Sequence, residues 1–307
     1  MKFTAKQIDI TPREPLFLGG YIERKAPFTK VHDPITATVF VLTVEGEKVV
    51  WISVDLIGGS FNVIEAINAH LKDKGLNIPK EHFVLGGTHT HSGPNTSNHL
   101  REDVNIFRRE EQDYVNEISC KIAEAVFEAY YEEGVNVHTR YSDVLIDGLY
   151  SNRNDKNKLS DKHEYMIGFF NEEDQLAGVY HLMSHHCTVV GSKSTECSAD
   201  LYGALRKRLQ QQFGCPFLMA QGNAGDMGNR QYRDGNDFAA LERQADNIFT
   251  QIMNKYCWKD IDMNGYDYKS INYHASYHVD YSGYQKKYEE FSARLAMETD
   301  VDMIKHL

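Results

Sequence analysis

Apolar and polar positions follow two rhythms along the chain, and the first to appear is that of extended strands. Residues 35–44 and 48–56 are rich in β-branched and apolar side chains, a composition typical of strands. Gly46 lies between the two runs and predicts that they pair as a hairpin. Residues 61–76 instead carry apolar side chains at helical spacing and end near a glycine, so they predict an amphipathic helix.

The two rhythms continue to alternate through the rest of the chain. The further predicted strands cover residues 82–87, 135–144, 164–186 (two strands about an acidic turn), 215–222 and 270–281. The further predicted helices cover residues 109–134, 199–214, 237–256 and the C-terminal end. This alternation favours an α/β fold in which a layered mixed sheet has helices packed on its faces. Since no clear linker interrupts the pattern, residues 1–307 are interpreted as a single domain.

The composition agrees with an α/β globular fold and narrows the classes of binding partner. Hydrophobic residues make up 41% of the chain and charged residues 25%, as in ordinary globular proteins. The net charge of −11 argues against binding to nucleic acid or to an anionic membrane. No apolar run is long enough for a transmembrane helix, so no stable membrane insertion is expected. The N-terminus lacks the apolar core of a signal peptide, and a cytoplasmic location is expected.

A pair of histidines follows one of the predicted strands. The stretch GGTHTHSGP, residues 86–94, places His89 and His91 two positions apart. Side chains at this spacing point to the same side of a strand, so both imidazoles face one cavity if the strand continues through them. One imidazole could then bind a metal ion while its neighbour handles protons. The alternative interpretation is two ordinary histidines in a polar loop.

Three later stretches add candidate groups. MSHHCTVVG places His185 and His186 at the end of another apolar strand, and only one of two adjacent side chains should point into the same cavity. AQGNAGDMGNR, residues 220–230, is a glycine-rich loop that lets backbone groups approach a ligand closely. LYSNRND, residues 149–155, contains Arg153. The alternative interpretations are two surface polar caps for His185 and His186, a tight turn for residues 220–230, and a surface turn for residues 149–155.

Together and in this order, these segments resemble a known family. THTHSGP, then NR, then SHHCT and finally AQGNAGD are similar to segments of the catalytic domain of the neutral and alkaline ceramidases. The earlier segments DITP, GGY, VHDPITA and SVDL also resemble the start of that domain. The resemblance covers roughly residues 8–230.

The resemblance implies a zinc-dependent amidase with one Zn²⁺ ion. By correspondence with the family motifs, His89 and His186 would bind the metal, and His91 would be the neighbouring catalytic histidine. Arg153 would be the catalytic arginine near the reacting carbonyl. The implied function is hydrolysis of a linear amide C–N bond by metal-activated water. The implied partner is a small N-acyl substrate, either an N-acylated lipid or a related N-acyl compound.

The chain also departs from the family pattern. The family completes its metal site with a glutamate in a Pro-Gly-Glu-like turn and a later tyrosine, and no Pro-Gly-Glu occurs here. The family's C-terminal immunoglobulin-like domain has no counterpart, so a short or truncated variant is expected. Asp55 and Asp226 are possible replacement ligands. The alternative function is a catalytically silent relative that binds a small molecule or a partner in the former active-site cavity.

Overall fold

The computed structural model describes residues 1–21, 23–96, 109–261 and 281–297, and the elements below lie in these ranges. The strands are β1 (Lys2–Asp9), β2 (Lys30–Val31), β3 (Thr36–Val44), β4 (Glu47–Val54), β5 (Phe83–Gly87), β6 (Val135–Asn136), β7 (His138–Leu145), β8 (Ser151–Asn152), β9 (His163–Phe170), β10 (Leu176–Met183), β11 (Glu196–Cys197), β12 (Phe217–Gln221), β13 (Met227–Gly228) and β14 (Lys259–Ile261). The α-helices are α1 (Phe61–Asp73), α2 (Arg109–Tyr131), α3 (Asp200–Phe213), α4 (Phe238–Lys255) and α5 (Tyr281–Met297).

The chain divides into two compact units. The first unit is residues 1–268, and the second is residues 269–307, of which α5 is described. The alternating stretch predicted over 270–281 lies almost wholly outside the described residues. None of the helices within the described ranges has the length and apolar character needed to span a bilayer.

Most strands of the first unit belong to two five-stranded sheets. The first sheet has the order β5-β4-β3-β1-β6, and the second has the order β12-β10-β9-β7-β14. Both sheets are mixed, because β4 pairs with β5 and β10 pairs with β12 in parallel, whereas the other pairs are antiparallel. The α/β class, with mixed sheets and helices on their faces, is therefore confirmed. The division of the strands between two sheets was not predicted, because sheet membership depends on long-range pairing.

Alternate side chains on each strand enter two different cores. On β3, Val39 and Val41 pack with residues of α1 and α2, whereas Phe40 lies in an apolar layer between the sheets. On β12, Phe217 packs with residues of α3 and α4, whereas Leu218 joins Phe40 between the sheets. Successive side chains of a strand point to opposite faces. The first unit is therefore built of four layers, with helices outside and the two sheets inside.

This arrangement brings the parallel edges of the two sheets together. The hydroxyl of Ser53 on β4 donates a hydrogen bond to the carbonyl of Met219 on β12. The chain leaves β5 towards residues 88–91 and leaves β10 towards residues 184–187, so both histidine motifs follow strands of these edges. The carboxyl ends of parallel strands are common places for functional sites.

A buried ion pair connects the first sheet to helix α3. Asp55, directly after β4, is fully buried and accepts two hydrogen bonds from the Arg206 guanidinium, at 2.9 and 2.6 Å. The same carboxylate accepts hydrogen bonds from the backbone N–H and the hydroxyl of Thr36. With four donors directed at it, the Asp55 charge is compensated inside the protein. Asp55 is therefore a structural residue and not the replacement metal ligand that the sequence suggested.

We expect Asp55→Asn to lower the free energy of unfolding by about 3–5 kcal/mol, because the substitution leaves the buried Arg206 without its counter-ion. Urea denaturation monitored by circular dichroism measures this loss. The matched control is Glu242→Gln, which removes an exposed partner of Arg208 on the same helix α3 and should cost less than about 1 kcal/mol. Equal losses in the two variants would contradict the structural role of Asp55.

Candidate metal centre and active-site cavity

Three imidazoles converge where the two histidine motifs meet. The ring centroids of His89 and His186 are 4.7 Å apart, and that of His91 lies 4.9 and 5.3 Å from them. One ring nitrogen of each residue lies within 4.8 Å of those of the other two, close enough for a single metal ion to contact all three. Residues almost a hundred positions apart thus share one site, as the order of the motifs predicted.

The backbone of His89 departs from a strand. Strand β5 ends at Gly87, and His89 has a φ of 64° in the left-handed region. Its N–H donates a hydrogen bond to the carbonyl of Leu56, and its ring Nδ1 lies 2.8 Å from the carbonyl oxygen of Ile57. Strand geometry therefore does not continue through the histidine pair. The two rings meet because this turn folds His89 onto the segment that follows β4.

His186 is held by a matching contact from the second sheet. Its Nδ1 lies 3.0 Å from the carbonyl oxygen of Ala224, in the glycine-rich loop after β12. A carbonyl oxygen can only accept, so the proton of both His89 and His186 sits on Nδ1. Each Nε2 is then unprotonated and carries the lone pair that a metal ion would use. This arrangement, in which the far ring nitrogen is hydrogen-bonded to a protein acceptor, is typical of histidines that bind metal ions.

His91 has different surroundings. Its Nε2 lies 3.3 Å from Nε2 of His89, whereas its buried Nδ1 has no hydrogen-bond partner among the described residues. Burial, reinforced by His89, His186 and nearby arginines, lowers the pKa of His91 to about 3. The ring is therefore neutral at physiological pH.

Gly20, Tyr21 and Arg24 pack closely against His91. The aromatic ring of Tyr21 meets the His91 ring edge-on at 4.9 Å, and Arg24 donates a hydrogen bond to the His91 carbonyl. Gly20 has a φ of 88°, and a Cβ at this position would lie 2.3 Å from Cγ of His91. Gly20 is therefore required twice, for its backbone conformation and for the close approach of the ring. The GGY segment noted in the sequence has a physical reason.

Arg153 lies in the wall of a cavity that opens beside the imidazoles. The cavity has a volume of about 470 Å³, and its lining includes Tyr21, His91 and His186. The backbone N–H of Arg153, directly after β8, donates a hydrogen bond of 2.7 Å to the carbonyl of Asp226, and β8 pairs with β13. The glycine-rich loop therefore positions Arg153 as well as His186. A cavity of this size suits a small-molecule ligand.

His185 points away from the cavity, as expected for the neighbour of His186. It lies fully buried, with Nδ1 2.8 Å from one carboxylate oxygen of Glu164, whose other oxygen is 2.5 Å from Nε2 of His181. Burial alone would raise the pKa of Glu164, but the two imidazoles outweigh it and lower the pKa to about 2. The Tyr150 ring stacks on His185, and its hydroxyl donates to the His186 carbonyl. This group forms the floor beneath His186.

Sequence reasoning missed Glu164 and His181, and it left the remaining metal ligands open. Both missed residues are on apolar strands, where period-two alternation with Met166 and Val179 was the available signal of burial. In the described part of the chain, no carboxylate joins the three imidazoles. Asp226 is exposed and accepts a hydrogen bond from Asn152.

Comparisons with known proteins identify the fold. No protein-family model matches the sequence, and a search of curated proteins gave no significant match. Among solved structures, a ceramidase complexed with C2 matches with a TM-score of 0.71 and 20% identity, over 83% of this chain and 43% of its own. The neutral ceramidase from Pseudomonas aeruginosa matches with a TM-score of 0.70 and 20% identity, over 83% of this chain and 44% of its own. This chain therefore spans less than half the length of either ceramidase.

The resemblance expected from the sequence motifs is confirmed at the level of the fold. The matched region covers most of this chain and less than half of each ceramidase. At 20% identity the match establishes a shared architecture. The chain has the fold of the neutral ceramidases.

We expect Gly20→Ala to displace the His91 ring, because the new methyl group would overlap it. The matched control is Gly46→Ala, since Gly46 has a φ of 90° but no atom within 4 Å of a Cβ. Both variants should lose about 1–2 kcal/mol of stability from the left-handed backbone. Only Gly20→Ala should shift the imidazole NMR signals of His91. Unchanged signals in that variant would contradict the close packing described here.

We expect Glu164→Gln to lower the free energy of unfolding by about 3–5 kcal/mol, because it removes the charge that both buried imidazoles face. The pKa of Glu164 is about 2 in the folded chain, below its ordinary 4.5. Its stabilising contribution is therefore complete above pH 4.5 and is lost as the pH falls through about 2. Urea denaturation at several pH values measures both effects. The exposed Glu173→Gln should match the parent, and an equal loss there would count against the assignment.

Proposed function

We propose that this chain is a metal-dependent hydrolase that cleaves a linear amide C–N bond. The observation that supports it best is the matched pair His89 and His186, each with Nδ1 on a backbone carbonyl and each with a ring nitrogen within 4.8 Å of the other's. A third, neutral imidazole, His91, lies next to this point at the wall of a ligand-sized cavity. The fold shared with ceramidases gives this arrangement its chemical context.

The three imidazoles are ligands of a type compatible with a zinc ion. Zn²⁺ binds imidazole nitrogen readily, and catalytic zinc sites keep one position open for water or substrate. His89 and His186 would hold the ion by Nε2, and the hydrogen bonds to Ile57 and Ala224 would keep both rings oriented. The choice of zinc over another transition ion stays a prediction. The cytoplasmic location expected from the sequence also stays a prediction.

The side chains around this centre divide the work of amide hydrolysis. When bound, a divalent ion makes water a nucleophile near neutral pH and polarises a carbonyl oxygen. The guanidinium of Arg153 would stabilise negative charge that develops on the carbonyl oxygen, an effect worth about 3–4 kcal/mol for a well-placed donor. Neutral His91 would accept a proton from the attacking water and deliver it to the leaving nitrogen. An amine leaves readily only when protonated, so this transfer is required.

The proposed substrate is a small N-acyl compound, which includes N-acylated lipids. The lining of the cavity includes Thr188 and three arginines as polar groups, and Met227 contributes apolar surface. Such a lining suits an amide group with polar neighbours. A second candidate is a silent binding protein with the same cavity, and it is favoured by the lack of a carboxylate beside the imidazoles in the described ranges.

We expect His91→Ala to lower kcat by about 10²–10⁴ while bound metal stays near the parental level, because His91 moves protons and the other two histidines hold the ion. His89→Ala should instead weaken zinc binding at least about tenfold, because it removes a ligand. Elemental analysis and hydrolysis of a panel of N-acyl amides measure the two effects. The exposed His138→Ala serves as control.

Two results would contradict these assignments. Parental turnover in His91→Ala would remove that residue from the mechanism, and unchanged metal content in His89→Ala would exclude it as a ligand. A parent chain that binds metal but hydrolyses no N-acyl amide would favour the silent binding protein.

A further inference from the structure

The cavity beside the imidazoles has a cationic wall in an acidic protein. The chain carries a net charge of −11, yet the described lining includes three arginines and no aspartate or glutamate. Arg153 lies on the β8 side, whereas Arg230 and Arg233 follow β13. An unbalanced positive surface of this kind attracts an anion into the cavity.

Hydrogen bonds of the buried residue Asn229 anchor the turn that carries Arg230 and Arg233. The side-chain amide of Asn229 donates a hydrogen bond of 3.1 Å to Gln244 on α4, and both residues are buried. The Asn229 carbonyl accepts the backbone N–H groups of Tyr232 and Arg233, at 2.9 and 2.8 Å. These bonds close the turn, so the two arginines are presented from one anchored segment and not from separate loops.

Among the residues that the structure describes, no side chain neutralises either guanidinium. Within the described ranges, the side chains of Arg230 and Arg233 have no hydrogen bond and no ion pair. Asp234 is the acidic residue that follows Arg233 in sequence. Its carboxylate Oδ2 instead lies 2.8 Å from Nε of Arg243. Arg208 on α3 likewise pairs with two carboxylates. The arginines that face the cavity therefore differ from these neighbours, whose charges are already compensated.

We propose that Arg230 and Arg233 form a subsite for an anionic group attached to the leaving-amine side of the amide substrate. The inference rests on the proposed function and narrows it. Guanidinium groups bind carboxylate and phosphate oxygens through paired hydrogen bonds. The best-fitting substrate class is an N-acyl amino acid, whose carboxylate lies two bonds from the amide nitrogen. Arg153 stays available for the carbonyl oxygen.

The reaction for this class is a simple hydrolysis. Water adds its oxygen to the carbonyl carbon, and the C–N bond breaks. One proton from the water passes to the nitrogen through His91, so the products are a fatty or other carboxylic acid and a free amino acid. No oxidant, reductant or second substrate is needed.

The test compares three amides of one acyl chain on the zinc-loaded chain: N-octanoylglycine, its neutral carboxamide, and the corresponding aminomethylphosphonate. We expect kcat/KM for the better anionic substrate to exceed that for the carboxamide about 10- to 100-fold, in line with charged hydrogen bonds. In the double variant Arg230→Gln/Arg233→Gln this ratio should fall to near one. Comparison of the glycine amide with the aminomethylphosphonate amide shows whether the subsite prefers a carboxylate or a phosphonate group. Arg13→Gln, on an exposed residue, is the matched control.

A binding measurement separates failure of this inference from failure of the proposed function. Calorimetric titration of N-octanoylglycine into His91→Ala, with and without the two arginine substitutions, should show affinity that falls about tenfold or more with them and with added salt. Equal binding of acid and carboxamide, together with an unchanged ratio in the double variant, would overturn the anion subsite and leave the hydrolase intact. Binding that requires the arginines without turnover of any amide by the parent would support the subsite and refute the hydrolase.

Discussion

The buried pair of Asp55 and Arg206 is the contact on which both halves of the site depend. Asp55 directly follows strand β4, and the next two carbonyls, those of Leu56 and Ile57, accept hydrogen bonds from the backbone and the ring of His89. Arg206 belongs to α3, whose first residue, Asp200, accepts the N–H groups of residues 189 and 190, just beyond His186. A single salt bridge therefore fixes the distance between two segments that each deliver one imidazole. Because the pair is fully enclosed, solvent and salt screen it little.

A second buried charge supports the same site from below. Glu164 lies between the imidazoles of His181 and His185. Tyr150 stacks on His185, and its hydroxyl donates a hydrogen bond to the His186 carbonyl. Burying an unpaired carboxylate would be costly, so Glu164 depends on the two histidines that face it. The site thus combines imidazoles at the cavity wall with a buried charged group, Glu164 and its two histidines, beneath them. Rigid support of this kind keeps ligand geometry within the tolerance that catalysis requires.

Local patterns predicted most elements but not the contacts that build the site. The hairpin about Gly46 and helices such as α4 follow from periodicity, because turn chemistry and a buried face are written in neighbouring residues. The pairing of strands into two sheets depends on partners far along the chain, and periodicity carries no record of them. His89 shows the same limit, since its left-handed turn replaces the strand geometry that spacing suggested. Sequence analysis did not single out Arg230 and Arg233, because whether a carboxylate compensates an arginine is visible only in three dimensions.

The carbonyl contacts of His89 and His186 also bear on how the site can vary. In many metal sites the outer acceptor is a side-chain carboxylate, which a single substitution removes. Here the acceptors are main-chain oxygens of Ile57 and Ala224. Any residue at these two positions that preserves the local backbone keeps both imidazole tautomers. The neutral acceptors also withhold the extra negative charge that a carboxylate would contribute, so a bound cation would be more electrophilic. Reactivity and mutational tolerance therefore have a common origin in the peptide backbone.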